Sequence, residues 1–318
     1  MTPVDPGADL LLLRRFEPQF RTTRGEQFYP IPLEAYLPLT DLMVRRRDGQ
    51  PHVVTERPHV TQEVLAACEE AGPDSITYLH MVREPLTTIQ LVQFRARSTL
   101  REFHEGTTRF ARVGIFARLL DMAFRISLLA RGRVPGGVAA AAATSAQEAA
   151  AAHPWPVYYG RVVRTQSYTV LQYHVFYAYN DYRSHYHGAN DHEGDWEHIS
   201  VYLSEDAQGA PVPEWVAYAA HDADGADQRR RWDDPELRKF GEHPVVHIGA
   251  GSHGAYFSPG EYIIRIEIPL LARVSSWAGA VRTSWQRLFR QGALPRRPVP
   301  TGASPSPSWT TLGEMGSC

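Results

Sequence analysis

Alternation of apolar and polar positions dominates the second half of the chain. Six runs after Pro156 are rich in β-branched and aromatic residues with a period of two, and turn-forming residues separate them. The predicted strands are Val157–Thr165, Ser167–Tyr179, Ile199–Leu203, Glu214–Ala220, His243–Gly249 and Glu261–Pro269. Their number and spacing predict a mainly β fold, a β-sandwich of two packed sheets.

The pattern before Pro156 is less uniform. We predict a strand over Leu10–Phe20, a short helix or strand over Leu33–Met43, a hairpin corner at Val44–Gly49 and a helix over Thr61–Ala71. Thr61 suits the N-cap of that helix, because its hydroxyl can accept a hydrogen bond from a backbone N–H of the first turn.

A helical block extends over Thr87–Ala152, and we expect it to lie outside the sandwich. Within it, Val113–Ala130 is apolar on most faces, while Arg112, Arg118 and Arg125 recur about every two helical turns. This pattern predicts either a helix buried in a hairpin with its Arg stripe in water, or a helix that contacts a membrane surface or a second copy. The Ala-rich run that ends the block predicts a solvated helix or a mobile linker.

The chain after the last predicted strand changes character. Val274–Arg290 fits an amphipathic helix with Trp277 and Trp285 on one side, and the Pro/Ser/Gly-rich remainder predicts disorder. The predicted organisation is an N-terminal part of the sandwich domain (1–86), a helical insertion (87–155), the sandwich core (156–273), an amphipathic helix (274–292) and a disordered tail (293–318).

Composition narrows the classes of protein. The chain has 318 residues, of which 43% are hydrophobic, so it can bury a large core. Its net charge of −2 gives no basic field that would favour nucleic acid. Cys68 and Cys318 form no disulfide framework, and the sequence shows neither a secretion signal nor an apolar run of membrane-spanning length. We therefore expect a cytoplasmic protein.

The stretch Asp191–His198, with the sequence DHEGDWEH, concentrates the candidate chemistry. It places four carboxylates and two imidazoles in eight positions, immediately before an apolar run that predicts a strand. If the strand begins near Asp195, then Asp195 and Glu197 point to one face of the sheet, and Trp196 and His198 point to the other.

A turn at Gly194 would let His192 fold back onto the side of Asp195 and Glu197. One imidazole and two carboxylates then converge, which suits a divalent cation, because carboxylates favour hard ions and imidazole extends the range to Mn, Fe or Zn. The alternative interpretation is a solvated acidic loop beside a structural Trp.

Four segments carry a family resemblance. They are LRRFEPQFRTTRGEQFYPIPLEAYL (13–37), HVFYAYND (174–181) followed by DHEGDWEH (191–198), WVAYAAHDADG (215–225) and HPVVHIGAGSHGAYF (243–257). They resemble the vacuolar protein sorting-associated protein 62 family, a domain of unknown function whose core is similar to the necrosis- and ethylene-inducing toxins. The resemblance implies a β-sandwich with outer helices, and it does not cover the helical block, which looks like an insertion.

The resemblance also implies a metal site. In the toxins, a His-x-x-Asp-x-Glu set and an upstream Asp hold a divalent cation at the edge of the sandwich. The implied ligands in this chain are His192, Asp195, Glu197 and Asp181. Asn180 and Asp191 stay open as alternatives to Asp181, because the spacing from the upstream position to the motif differs.

The other histidines divide by their surroundings. His221 and His253 each end a predicted strand and enter a Gly-containing turn, so they are candidates for a general acid or base at the same rim as the acidic motif. We expect His198 to have a core or supporting role rather than to bind the cation. His247 fits a core position, and His185 and His187 fit the surface.

Two classes of function remain open, with a third that is weaker. The first is a metal-dependent enzyme that performs hydrolysis or elimination on a small-molecule or lipid-like substrate, and the converging imidazoles favour it. The second is a binding module, in which the ion binds a lipid or glycan headgroup at a membrane surface. The third is a structural role, in which the ion only orders the loop. Mg, Mn or Ca fits the carboxylates, and Zn or Fe becomes favoured if more histidines coordinate. The candidate macromolecular partners are a membrane surface, contacted peripherally, and further copies of the same chain; nucleic acid is not expected.

Overall fold

The structure is a computed structural model that describes residues 6–22, 26–47, 49–68, 74–99, 109–113, 119, 122–123, 137–181, 191–219 and 228–264. Of its two compact units, the first (1–263 and 314–318) contains all of these residues except Ile264. The helices are α1 (Pro6–Arg15), α2 (Leu33–Tyr36), α3 (Gln62–Ala67), α4 (Thr88–Thr99) and α5 (Gly137–Ala152), with a 3₁₀ turn at Leu37–Leu39.

Fourteen strands are described, so the prediction of a mainly β fold with some helices is confirmed. They are β1 (Gln19–Arg21), β2 (Asp41–Arg46), β3 (His52–Thr55), β4 (Ser75–His80), β5 (Arg109–Val113), β6 (Tyr159–Arg164), β7 (Thr169–Asn180), β8 (His192–Glu205), β9 (Pro211–Tyr218), β10 (Arg229–Arg231), β11 (Lys239–Phe240), β12 (His243–Ile248), β13 (Ala255–Tyr256) and β14 (Gly260–Ile264). All six strands predicted after Pro156 are present, with shifted ends.

The largest sheet is antiparallel and has the order β10-β9-β8-β7-β6. The long strands β7 and β8 lie at its centre and pair in register, with Tyr177 opposite Asp195 and Val175 opposite Glu197. Opposite residues of an antiparallel pair share a face, so the side-chain face of each motif residue follows from this register.

A second sheet has the order β1-β12-β11, with β13 paired to β12. Strand β1 runs parallel to β12, whereas β11 and β13 pair with it in the antiparallel sense. One apolar cluster joins both sheets: Leu171, Ile199 and Val201 of the large sheet are buried together with Val246 and Ile248 of β12. Burying each such side chain contributes about 1.5–3 kcal/mol.

Helix α1 corrects the strand predicted over Leu10–Phe20. Only β1, at the end of that stretch and beyond it, is a strand. The run of leucines fits either structure. A helix forms because its periodicity brings Leu13 and Phe16, three residues apart, to the same side, where both are buried against the large sheet. The charges at its ends also stabilise the helix through its dipole, with Asp9 in the first turn and Arg14 and Arg15 in the last turn.

Helix α5 shows that the Ala-rich run is neither solvated nor a linker. The helix itself was predicted, but Ala142, Ala143, Ala146 and Ala149 are buried in the same cluster as Val175–Tyr179 of β7. The small methyl side chains of alanine let the helix pack closely against the strand.

The rest of the predicted helical block is only partly described. Helix α4 confirms its beginning, but β5 (Arg109–Val113) is a strand that pairs with β14. Arg112 therefore belongs to a strand, and the predicted helical stripe is wrong at that position. Arg118 and Arg125 lie outside the described residues, as do the predicted helix 274–290 and the tail. None of the described helices is long and apolar enough to cross a membrane.

A three-stranded sheet, β3-β2-β4, confirms the hairpin corner near Val44–Gly49. Helix α3 is also confirmed, and the Thr61 hydroxyl accepts a hydrogen bond from the Val64 N–H as expected of an N-cap. At the start of β2, the buried Asp41 receives hydrogen bonds from two guanidinium groups, those of Arg57 and Arg83.

Candidate acid–base site

The acidic motif lies on β8 with the alternation that the sequence predicts. Asp195 and Glu197 are buried, with exposed fractions of 8% and 5%, and they share the inner face with Ile199 and Val201. Trp196 is 46% exposed on the opposite face and packs against Phe176. The prediction that the two carboxylates share one face is confirmed.

Strand β8 begins at His192, so the turn expected at Gly194 before a strand near Asp195 is wrong, and Gly194 is a position inside the strand. Its φ of +66° is in the left-handed region that L side chains rarely adopt. His192 is the first residue of β8, and its Nδ1 donates to the Gly194 carbonyl at 3.0 Å while its side chain is exposed. The imidazole is thus held by the backbone of its own strand and not by the two carboxylates.

Asp195 is bound by two side chains from other elements. Its Oδ2 accepts a hydrogen bond from Asn180 Nδ2 at 2.8 Å and one from His253 Nδ1 at 3.0 Å. Burial alone would raise the pKa of Asp195, but the hydrogen bond and charge of His253, followed by the bond from Asn180, keep this pKa below its ordinary value. The carboxyl group is therefore ionised at neutral pH.

His253 is positioned by a tight turn after β12. Its backbone N–H donates to the Gly249 carbonyl at 3.0 Å, and its φ of 56° is unusual for a residue with a side chain. Such a conformation costs about 1–3 kcal/mol and persists only where the surroundings enforce it. Here the ring of Tyr177 stacks on the imidazole with centroids 3.8 Å apart and planes within 1°.

Glu26 fastens this turn to the N-terminal part of the chain. The buried carboxylate accepts the Gly251 N–H with one oxygen, at 3.0 Å, and the N–H groups of Gln27 and Phe28 with the other. No local pattern indicates this role, because Glu26 lies in a stretch that predicts only a turn and the contact spans 225 positions.

Three buried polar atoms at the site have no hydrogen-bond partner among the described residues. They are Nε2 of His253, the hydroxyl of Tyr177 and Oδ1 of Asn180. Buried polar groups are nearly always paired, so unpaired ones in one cluster indicate bound water, a ligand or a functional group held in readiness. Burial, followed by the charges of Glu197, Glu26 and Asp195, raises the pKa of Tyr177 well above its ordinary value, so it is a neutral phenol.

Because its hydroxyl lacks a partner, Tyr177→Phe is expected to leave the free energy of unfolding unchanged or to raise it by up to about 1 kcal/mol. Tyr173→Phe is the matched control, since the Tyr173 hydroxyl donates to the Leu13 carbonyl at 2.9 Å and its loss should cost about 1 kcal/mol. Urea unfolding of both variants measures the difference. Equal destabilisation by the two changes would show that the Tyr177 hydroxyl has a bound partner in solution.

The predicted cation ligands are not brought together. His192 turns to Gly194, Oδ2 of Asp195 is bound to Asn180 and His253, and Asp181 lies half-buried just beyond the end of β7. In the part of the chain that the structure describes, no three His, Cys, Asp or Glu side chains converge as a metal ion requires. The predicted ligand set therefore does not fit a cation as it lies.

The remaining histidines have mixed outcomes. His253 lies at the acidic motif as predicted, whereas His221, His185 and His187 lie outside the described residues. His247 is buried in β12, as expected of a core residue. His198 is half-buried on the outer face of the large sheet, where it stacks on His174 and not in the core.

Comparison with protein-family models, curated proteins and solved structures found no match to this chain. The family resemblance and the ligand roles that it implies therefore stay predictions, and the case for function depends on the geometry of the site.

Proposed function

We propose that the chain is an enzyme that transfers protons with His253, held by Asp195, during hydrolysis or elimination on a small-molecule substrate. The observation that carries the proposal is the pairing itself. An ionised carboxylate only accepts hydrogen bonds, so Nδ1 of His253 must carry the hydrogen that Asp195 receives. In the neutral ring, Nε2 then holds the free lone pair that a general base needs.

The surroundings support this role. A purely structural histidine would be expected to satisfy both ring nitrogens, whereas Nε2 has no partner among the described residues. The left-handed backbone of His253 and the stacked Tyr177 hold the ring in one orientation. Strained residues of this kind concentrate at active sites. Such preorganisation lowers the reorganisation that proton transfer would otherwise require.

Access requires movement, because His253 has no exposed surface. The turn that carries His253 contains Gly249, Gly251 and Gly254. It is held by the hydrogen bond from the Gly251 N–H to Glu26 at 3.0 Å and by the one from Asn180 Nδ2 to the Ser252 carbonyl at 3.3 Å. Displacement of this turn is the route by which a substrate reaches Nε2. Hydrogen exchange at the Gly251 N–H should accordingly be faster than at the central strands β7 and β8.

His253→Asn tests the proposal with little disturbance to the backbone. Asn tolerates the left-handed conformation, and its amide can still donate to Asp195, but it has no basic nitrogen. Screening wild type against a panel of esters, lactones and phosphoesters should reveal a turnover that this variant reduces by about 10²–10⁴-fold. His247→Gln changes a buried imidazole outside the site and should keep the activity. A folded His253→Asn protein with wild-type turnover would refute the proposal.

A divalent cation stays a separate prediction, and no step above depends on it. Glu197 and the second oxygen of Asp195 lie on the same buried face and would be its ligands after rearrangement. If the prediction is right, elemental analysis after supply of excess Mn²⁺ gives one ion per chain in wild type and none in Glu197→Gln. Glu205→Gln, at the end of the same strand, is the control and should bind as wild type does. A wild-type protein that takes up no ion contradicts the cation but leaves the role of His253 standing.

We also propose the β-sandwich that the resemblance implies. What supports it is one apolar cluster that contains side chains from both the large sheet and the β12 sheet. The predicted contacts with a membrane surface or with a second copy depended on helices that lie largely outside the described residues, so they remain predictions.

A further inference from the structure

Two histidines face each other on the outer side of the large sheet. His174 of β7 and His198 of β8 are directly opposite in the antiparallel register, and their rings lie nearly parallel, 17° apart, with centroids separated by 5.4 Å. Directly opposite residues of such a pair hold their Cβ atoms about 4.5–5.5 Å apart. Both side chains point away from Asp195 and Glu197, which occupy the inner face.

Neither imidazole has a hydrogen-bond or ion-pair partner among the described residues, and both rings are only half-buried. The two rings therefore lie side by side on the outer face of the sheet, one on each of two paired strands. A cation bound between the two rings could be coordinated by one nitrogen from each imidazole.

We propose that His174 and His198 form a two-histidine site for a transition-metal ion of the Cu²⁺, Ni²⁺ or Zn²⁺ type. Imidazole suits these ions, whereas Mg²⁺ and Ca²⁺ prefer oxygen ligands. Two nitrogens that each lie about 2.1 Å from one ion are at most about 4 Å apart. The stacked rings must therefore turn towards each other, which their half-exposed positions allow. Water fills the other coordination positions.

This site is distinct from the cation predicted at the acidic motif. His198 follows Glu197 directly, but neighbouring residues of a strand project from opposite faces of the sheet. The ligand chemistry also differs, with two nitrogens here and carboxylate oxygens there. The new site is independent of the proposed enzyme activity, so either can fail without the other.

Arg161 on β6 provides a second test of the proposal. Tyr159 pairs directly with His174, and Arg161 lies two residues further along β6, so its side chain is on the same face of the sheet as His174. The positive charge of Arg161 repels a cation bound there. Arg161→Gln is therefore expected to strengthen ion binding by about threefold, an effect of long-range charge that leaves both ligands in place.

Titration of the full chain with Cu²⁺, followed by calorimetry and electron paramagnetic resonance, tests the site. Wild type should show one tight site with splitting from two imidazole nitrogens. His174→Gln and His198→Gln should each weaken it by about tenfold or more, because the second ligand of a pair acts at a high effective concentration. His52→Gln removes an exposed histidine on β3 and should change nothing.

Two results would overturn the inference. One is a tight two-nitrogen Cu²⁺ site that survives in both His174→Gln and His198→Gln, since the chain has 14 histidines and others could then be responsible. The other is the absence of any tight Cu²⁺ site in wild type. If either Gln variant unfolds, the gain expected from Arg161→Gln decides the matter. Asp195→Asn, on the inner face, should leave the Cu²⁺ site intact.

Discussion

Asp41→Asn is expected to lower the free energy of unfolding by about 1.5–3 kcal/mol, because it removes the charge that accepts hydrogen bonds from two guanidinium groups. Arg57 reaches the Asp41 carboxylate with Nε and Nη2 and also donates to the carbonyls of His80 and Met81. Arg83 binds the same carboxylate with Nε and Nη2, at 2.8 and 2.7 Å. One carboxylate thus ties β2 to the segments that follow β3 and β4. Urea unfolding measures the loss.

Asp233→Asn is the matched control for this change. Asp233 also pairs with an arginine through two hydrogen bonds, from Arg231, but both side chains are largely exposed. Exposed ion pairs contribute little to stability, so this variant should remain close to wild type. Similar losses in the two variants would mean that the two guanidinium groups at Asp41 contribute no more than a surface pair.

The same carboxylate makes stability depend on acid. Hydrogen bonds from Arg83 and then Arg57 hold the pKa of Asp41 far below its ordinary value, despite burial. A depressed pKa stabilises the folded state fully above the unfolded pKa of about 3.9, and the stabilisation is lost as pH falls below it. Wild type should therefore lose stability faster than Asp41→Asn between about pH 4 and pH 2. Parallel acid limbs for the two proteins would contradict this assignment.

Asp195→Asn should reduce turnover by about 10²–10⁴-fold while the protein stays folded. The carboxylate only accepts, so it keeps the hydrogen of His253 on Nδ1 and leaves Nε2 as the base. An amide can donate to Nδ1 instead, which would move the hydrogen to Nε2 and remove the lone pair from the reacting side. Nitrogen NMR of the His253 ring reports this tautomer directly.

Asn180→Ala serves as the comparison for that experiment. It removes the other donor to Oδ2 of Asp195, together with the bond from Asn180 to the Ser252 carbonyl, and leaves the carboxylate and its bond to His253 in place. We expect the Nδ1–H tautomer to persist and turnover to fall far less than in Asp195→Asn. A normal rate in Asp195→Asn together with the Nε2–H tautomer would exclude Nε2 as the general base.

Local pattern was enough to find the strands that carry the site. Strands β7 and β8 follow from period-two alternation, and the same alternation placed Asp195 and Glu197 on one face. It could not decide the four leucines of α1, which suit a helix or a strand equally, because the choice depends on what Leu13 packs against. The burial of the Ala-rich helix α5 was equally invisible, since it depends on the shape of its partner strand.

The site was predicted in part for the same reason. His253 was a candidate because its strand and turn could bring it to the rim of the sheet, and the structure places it on Asp195. The position of His192 was wrong, because the sequence cannot show that the Gly194 carbonyl competes for its Nδ1. Glu26 was missed because nothing local links it to a turn 225 residues later.

The parallel pairing of β1 with β12 has a consequence for the order in which the protein folds. Gln19 pairs with Val245, so this contact cannot form until the whole segment between the two residues has been synthesised and its ends have come together. Closing long loops is slow, whereas the hairpins β6-β7-β8-β9 need only neighbouring segments. A chain emerging from the ribosome can therefore assemble its central sheet early, with Asp195 in place but His253 not yet synthesised. The hydrogen bond between Asp195 and His253 can form only after that, once the turn beyond β12 has joined the central sheet.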